Sequence, residues 1–252
     1  LDTDVPVRVQ RPPSQITHRL HKKSRMILTS AQTCALSGRY DKVFSRSGVI
    51  GMKLRAVIFD MGGTIETYGY TPEMRLKATP EIQQMLKGAG VDLVGLSDEA
   101  LLDVITSGLR RYHKFRLKSM VELPPKQVWC DYILAGYSFD PIKLADIAED
   151  LTFFIETRYY YRDMRPEIPA VLQAIQQMGL KIGLISNVSS RGQVPTNLEK
   201  YQIKQYFDPI VLSSEYGIRK PDPSIFHYAA RLMNVPTSAC AYVGDRIIRD
   251  IL

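Results

Sequence analysis

The apolar run from Ala56 to Phe59 ends in Asp60, and Gly62, Gly63 and Thr64 follow at once. A strand interior has no use for a carboxylate, so Asp60 belongs to a strand exit, where it either caps the next turn or takes part in chemistry. Three other apolar runs end in the same manner. One leads to Ser186 and Asn187, one to a loop carrying Lys220 in GIRKPDP, and one to Gly244 and Asp245, with Asp250 five residues on. In parallel α/β sheets ligands bind beyond the carboxyl ends of the strands. If these strand tips converge, acidic groups, an ammonium and a hydroxyl share one cleft; the turn-capping reading has to hold at four strands independently.

The elements that must position these residues follow from hydrophobic patterning. Continuous apolar runs at 54–59, 181–186, 209–213 and 239–243 read as strands buried on both faces. Helical stretches fall between the later ones: RPEIPAVLQAIQQMG, TNLEKYQIKQY and DPSIFHYAARLMN. The order is α/β, a Rossmann-like parallel sheet with helices on both faces. Between the first and second runs lies a long stretch without a strand signal, with helical segments near 72–89, 98–118, 125–136 and 141–160; in one of them Leu101, Val104, Ile105 and Leu109 share a helical face. A structureless loop of that length is foreign to a compact domain, so residues 69–161 are expected to form an inserted α-helical cap, leaving 52–68 and 162–252 as the core.

Composition narrows the function. The 252 residues are 45% hydrophobic and 23% charged, an ordinary globular balance. The net charge of +7 is concentrated in residues 1–51, which hold nine Lys/Arg against three Asp/Glu; residues 52–252 hold 24 against 23. The body of the chain therefore has no electrostatic footprint for nucleic acid. Residues 1–51 are read as a basic extension, either disordered or foreign to the natural product. No apolar run approaches membrane-spanning length, and Cys34, Cys130 and Cys240 lack CxxC spacing. The expectation is a cytoplasmic protein, monomer or homodimer, binding neither membrane nor nucleic acid. His18, His21, His113 and His227 form no ligand spacing.

Four motifs, FDMGGT (59–64), LISN (184–187), YFDPIVLSSEYGIRKPDPSIF (206–226) and YVGDRIIRD (242–250), occur in an order that resembles the haloacid dehalogenase-like hydrolase superfamily, of the type with a helical cap inserted after the first motif. The resemblance implies a nucleophile, Asp60, that attacks phosphorus to form an acyl phosphate. It implies Mg²⁺ held by Asp60, the Gly62 carbonyl, Asp245 and Asp250. Gly62 and Gly63 would curl the backbone so that amides face the phosphate, with Gly63, Thr64 and Asn187 on the substrate and Ser186 adding a hydroxyl. Lys220 would supply positive charge and restrain the nucleophile. The substrate implied is a small phosphorylated metabolite.

The sequence departs from that pattern at Gly62, where most phosphatases of this superfamily carry a second aspartate as general acid and base, a loss worth roughly 10² to 10⁴ in rate. Two alternatives stay open: a weakened homologue that binds a phosphorylated ligand, and cleavage of C–P or C–halogen bonds. Glu66 is either a substitute acid or a solvent-facing side chain. The cluster RRYHKFRLK (110–118) reads as a solvated helix face, and Phe153, Phe154, Tyr159, Tyr160 and Tyr161 read as packing between elements. The superfamily normally continues past the fourth motif with another helix and strand, so the core is expected to be truncated at that edge.

Overall fold

The computed structural model describes residues 53–93, 95–246 and 250, together with the backbone of Ile27–Leu28. Among them the strands are β1 (Ile27–Leu28), β2 (Ala56–Phe59), β3 (Glu66–Gly69), β4 (Tyr161–Met164), β5 (Lys181–Ser186), β6 (Ile210–Leu212) and β7 (Cys240–Gly244). The helices are α1 (Pro72–Gly88), α2 (Asp98–Ser119), α3 (Pro125–Gln127), α4 (Pro141–Arg158), α5 (Ile168–Gln177), α6 (Gln193–Lys200), α7 (Ser213–Tyr216) and α8 (Pro223–Leu232).

Five strands form one sheet in the order β1-β7-β2-β5-β6. The pairs β7-β2, β2-β5 and β5-β6 are all parallel. Side chains on a strand alternate between faces, and both faces of β2 are covered. Val57 and Phe59 pack with Ile168 and Leu172 of α5 and Val194 and Leu198 of α6, while Ala56 and Ile58 pack with Ile225, Phe226 and Ala229 of α8. This two-sided burial explains why β2 reads as an unbroken apolar run. The fold class is the α/β one that the sequence predicts. The backbone of Ile27–Leu28 pairs antiparallel with β7, so the far edge of β7 carries a partner. The rest of the first 51 residues, Cys34, His18 and His21 among them, and the chain end on which the expected truncation falls lie outside the described residues.

Helices α1, α2 and α4 and the turn region after α3 enclose a hydrophobic cluster of their own, centred on Ile82, Leu86, Leu101, Ile105, Trp129 and Leu151. Capping starts these helices cleanly: Thr71, Ser97 and Asp140 each accept a backbone N–H from the first turn of α1, α2 and α4. Two features differ from the sequence reading. The helix expected at 125–136 is a three-residue α3 followed by a π-helix, Val128–Ile133. The stretch expected to lack strands contains β3 and β4, which pair as an antiparallel ribbon from Glu66↔Met164 to Gly69↔Tyr161. With sequences ETYG and YRDM they show neither length nor apolar alternation, and cross-chain pairing alone makes them strands. No helix among the described residues is long and apolar enough to cross a membrane.

Gly108 sits where α2 meets the π-helix, and a Cβ there would stand 2.4 Å from the Ile133 Cα and 2.7 Å from the Tyr132 carbonyl. Backbone cannot yield as a side-chain tip can. Gly108→Ala is therefore expected to destabilise the protein by about 1–3 kcal/mol despite the better helix propensity of alanine. The measurement is the urea midpoint; an unchanged or raised midpoint would contradict this packing.

Candidate active site

Register brings the strand exits together. Phe59 lies opposite Leu184 on β5 and Val243 on β7, and the Asp60 amide donates to the Val243 carbonyl at 2.8 Å. Asp60 thus leaves the sheet between Ser186, the last residue of β5, and Asp245, the first beyond β7. Lys220 arrives from the loop after α7. Its ammonium lies 2.8 Å from Asp60 Oδ1 and 3.2 Å from Asp250 Oδ1, and donates to the Tyr242 hydroxyl. The Lys220 side chain is 1% exposed, so these partners replace the water it has lost. Its backbone is gripped on both sides by Asn187, whose Nδ2 donates to the Lys220 carbonyl at 3.0 Å and whose Oδ1 accepts from its N–H at 2.9 Å.

Carboxylate oxygens of Asp60, Asp245 and Asp250 lie within 4.8 Å of one another. Three carboxylates face the buried ammonium of Lys220 and the largely exposed Arg246 guanidinium, 3.8 Å from Asp245, so negative charge is in excess in a largely buried place. Hard oxygen donors at that spacing and that charge suit a divalent cation such as Mg²⁺, so the residues present fit the metal. Two glycines make room for the acids. A Cβ on Gly63, whose φ is +92°, would stand 2.3 Å from Asp245 Oδ2, and one on Gly244 would stand 2.4 Å from Asp250 Cγ. Asp250 Oδ2 also accepts the Arg246 N–H at 2.8 Å.

The turn after Asp60 differs from the expected phosphate cradle. The Gly63 amide donates to the Glu66 carbonyl at 2.7 Å and the Thr64 amide to the Met61 carbonyl at 3.3 Å, so both are used inside the turn. The Met61 amide instead points at Asp60 Oδ1, 2.8 Å away. Thr64 is fully buried, and its hydroxyl is a polar group with no hydrogen-bond partner among the described residues. Gly62 lies against the Tyr68 ring, 3.3 Å from where its Cβ would be. Arg165, which nothing in the sequence spacing marks, donates to the Gly63 carbonyl at 3.0 Å and braces the turn from β4's side.

Glu66 is neither solvent-facing nor a substitute acid. It is completely buried and accepts from Asn197 at 2.8 Å, from the Tyr201 hydroxyl at 2.9 Å and from Arg162 in an ion pair. It ties β3 to β4 and to α6. Burial, and next the Glu66 carboxylate, push the Tyr201 phenol up. His113 and His227 are exposed, Cys130 and Cys240 are half-buried free thiols, and Tyr159 is packed in the cap, bonded to Thr79.

The cap closes on the loop beyond Asn187. Glu156 of α4 accepts the Ser189 and Ser190 amides, each at 3.0 Å, and Glu149 accepts the Ser190 hydroxyl at 2.8 Å and the Arg191 amide at 2.7 Å. Burial pushes the Glu156 carboxyl up, against the pull of those two amides. Of the basic cluster 110–118, expected to be solvated throughout, Arg116 turns inward and donates to the Ser189 hydroxyl at 3.2 Å, while Tyr112 is buried.

A family profile described as "Hydrolase: haloacid dehalogenase-like hydrolase" matches residues 54–252. A glyceraldehyde 3-phosphate phosphatase from Methanopyrus kandleri is 27% identical over 79% of this chain and 78% of the relative. Haloacid dehalogenase-like hydrolase domain-containing protein 3 from Xenopus laevis is 27% identical over 50% of this chain and 52% of the relative, so the match spans only about half of the frog protein. Among solved structures, a 2-haloacid dehalogenase from Pseudomonas syringae pv. Tomato DC3000 superposes with a TM-score of 0.52 at 21% identity, over 79% of this chain and 80% of the other, a likeness of fold.

Removing one partner of a buried ion pair leaves the other uncompensated. Glu66→Gln is expected to lower the unfolding free energy by about 3–5 kcal/mol through the stranded Arg162. Denaturant unfolding checks it, and a loss no larger than that of an exposed glutamate would show that Glu66 does not hold the ribbon to the core.

Proposed function

Since the chain belongs to the haloacid dehalogenase-like hydrolase family, we propose that it is a Mg²⁺-dependent phosphatase of small phosphorylated metabolites working through an aspartyl-phosphate on Asp60. The observation that supports this most is the Lys220 ammonium held between Asp60 and Asp250 with Asp245 alongside. A carboxylate–ammonium cluster of this kind handles charge at phosphorus. Asp60, Asp245, Asp250 and the Gly62 carbonyl would hold Mg²⁺, which supplies charge neutralisation on the phosphoryl oxygens.

In the first step an Asp60 oxygen attacks phosphorus and the substrate's P–O bond to the leaving alcohol breaks. In the second, water attacks the same phosphorus, inorganic phosphate leaves, and the carboxylate is restored. Lys220 orients Asp60 and balances charge as the phosphoryl group transfers. The buried Thr64 hydroxyl and Ser186 would bond phosphoryl oxygens. Position 62 offers no acid, and Tyr68 fills the space beside it, so the leaving alcohol takes its proton from solvent. Seating of the cap on the 189–191 loop would limit the water that reaches Asp60 to what protonation of the alcohol and the second step consume. The same reading makes the protein a cytoplasmic enzyme, monomer or homodimer, acting on a free metabolite.

Glyceraldehyde 3-phosphate, named for the Methanopyrus kandleri relative, is the first substrate to test, in a panel of phosphorylated metabolites with and without Mg²⁺. Turnover that requires Mg²⁺ and falls to background in a folded Asp60→Asn variant is expected. Activity surviving in Asp60→Asn would refute the assignment. Without an acid at position 62, aryl phosphates should also be hydrolysed faster than alkyl phosphates by about 10² or more, the usual worth of general-acid catalysis. Equal rates for the two classes would reveal a proton donor.

A further inference from the structure

Within the cap, the short segment between α2 and α3 reaches across to the loop that carries Lys220. Val121 forms an antiparallel bridge with Ile218, the Glu122 amide donates to the Gly217 carbonyl at 2.9 Å, and the Arg219 amide donates to the Met120 carbonyl at 2.8 Å. These bonds end one residue before the catalytic ammonium. Through them Glu122 is carried into the core, where its carboxylate is completely buried.

The Glu122 carboxylate collects groups from α2, from the loop beyond Asn187 and from both ends of the segment that leads to Lys220. It is ion-paired with Arg219, the residue before Lys220, and lies 3.8 Å from Arg116. It accepts the Ser213 hydroxyl at 2.8 Å, the Ser189 hydroxyl at 3.2 Å and the Tyr112 hydroxyl at 2.6 Å. Ser213 begins α7 and Arg219 closes the loop behind it, so one carboxylate grips both ends of the segment leading to Lys220. Ser189 lies two residues past Asn187, the residue that clamps the Lys220 backbone. Tyr112 also accepts the Leu123 N–H at 2.8 Å, which fixes Glu122 from the cap side.

We propose that Glu122 is a positioning residue for Lys220: through Arg219, Ser213 and Ser189 it couples the seating of the cap to the placement of the ammonium against Asp60. The inference rests on Lys220 acting on Asp60 as described under the proposed function. An ammonium shared by two carboxylates is sensitive to sub-ångström displacement of its loop, and such misplacement from a distance is costly in rate. Arg116 and Arg219 face Glu122 from the two sides, so the cap can seat only where the core presents its counter-charge.

The test uses the full chain with Mg²⁺ and p-nitrophenyl phosphate, comparing wild type with Glu122→Gln and with Glu122→Gln/Arg219→Gln. The double variant removes both buried charges and carries the comparison if the single variant fails to fold. A second readout is independent of turnover: the rate at which an N-hydroxysuccinimide ester acetylates Lys220, followed by mass spectrometry of its peptide. Coupling predicts that kcat falls about tenfold or more with KM little changed, and that Lys220 is acetylated about tenfold faster in the variant that folds, the scale of a loss of one or two kcal/mol. Wild-type acetylation of Lys220 overturns the proposal whatever happens to kcat. Recovery of wild-type kcat in the double variant overturns it too, because Glu122 would then serve only to neutralise Arg219. A wild-type protein without Mg²⁺-dependent turnover refutes the proposed function, and the acetylation rates still decide the coupling.

Discussion

A buried ammonium is tolerated only where the protein returns what water supplied, and the structure around Lys220 is organised by that constraint. Desolvating such a charge costs several kcal/mol unless opposite charge and hydrogen bonds meet it. Asp60, Asp250 and the Tyr242 hydroxyl do so here. The demand propagates outward: Asp60 must leave β2 at the right rung, Asp250 must fold back over Gly244, and the loop bearing Lys220 must be held against Asn187. A parallel sheet with β2 between β5 and β7 delivers all three from segments far apart in sequence.

The second organising feature is polar contact between cap and core. Glu149 and Glu156 on α4 engage the 189–191 amides, and Glu122 engages Arg219, Ser189 and Ser213. Hydrogen-bonded carboxylates define one seating of the helical unit, where an apolar contact of the same area would tolerate sliding. The β3–β4 ribbon, fixed to α6 by Glu66, forms the stem on which that unit stands.

Much of this was legible in the chain. Strand runs buried on both faces, and strand exits marked by Asp60, Ser186 and Asp245, are local patterns, and they point to an α/β fold with these side chains gathered at the carboxyl ends of the strands. What the sequence does not display depends on partners distant along the chain. Glu66 differs in type from no ordinary surface glutamate until Arg162, Asn197 and Tyr201 surround it. Glu122 lies in a short connection with no motif. The ribbon strands are four residues each, and pairing across the inserted cap creates them. The sequence shows at Gly62 and Gly63 a freedom to turn, while the hydrogen bonds inside the turn decide which way an N–H points, and the Gly63 amide points at the Glu66 carbonyl.

The central claim is that Asp60 accepts a phosphoryl group beside a divalent cation. Beryllium fluoride imitates an aspartyl-phosphate and needs no knowledge of the substrate, so fluorine NMR of the protein with beryllium fluoride, with and without Mg²⁺, tests the claim most directly. The account predicts protein-bound fluorine resonances that appear only with Mg²⁺ and are missing from a folded Asp60→Asn variant. Bound resonances that persist in Asp60→Asn, or that never form in the Mg²⁺-loaded wild type, would contradict it.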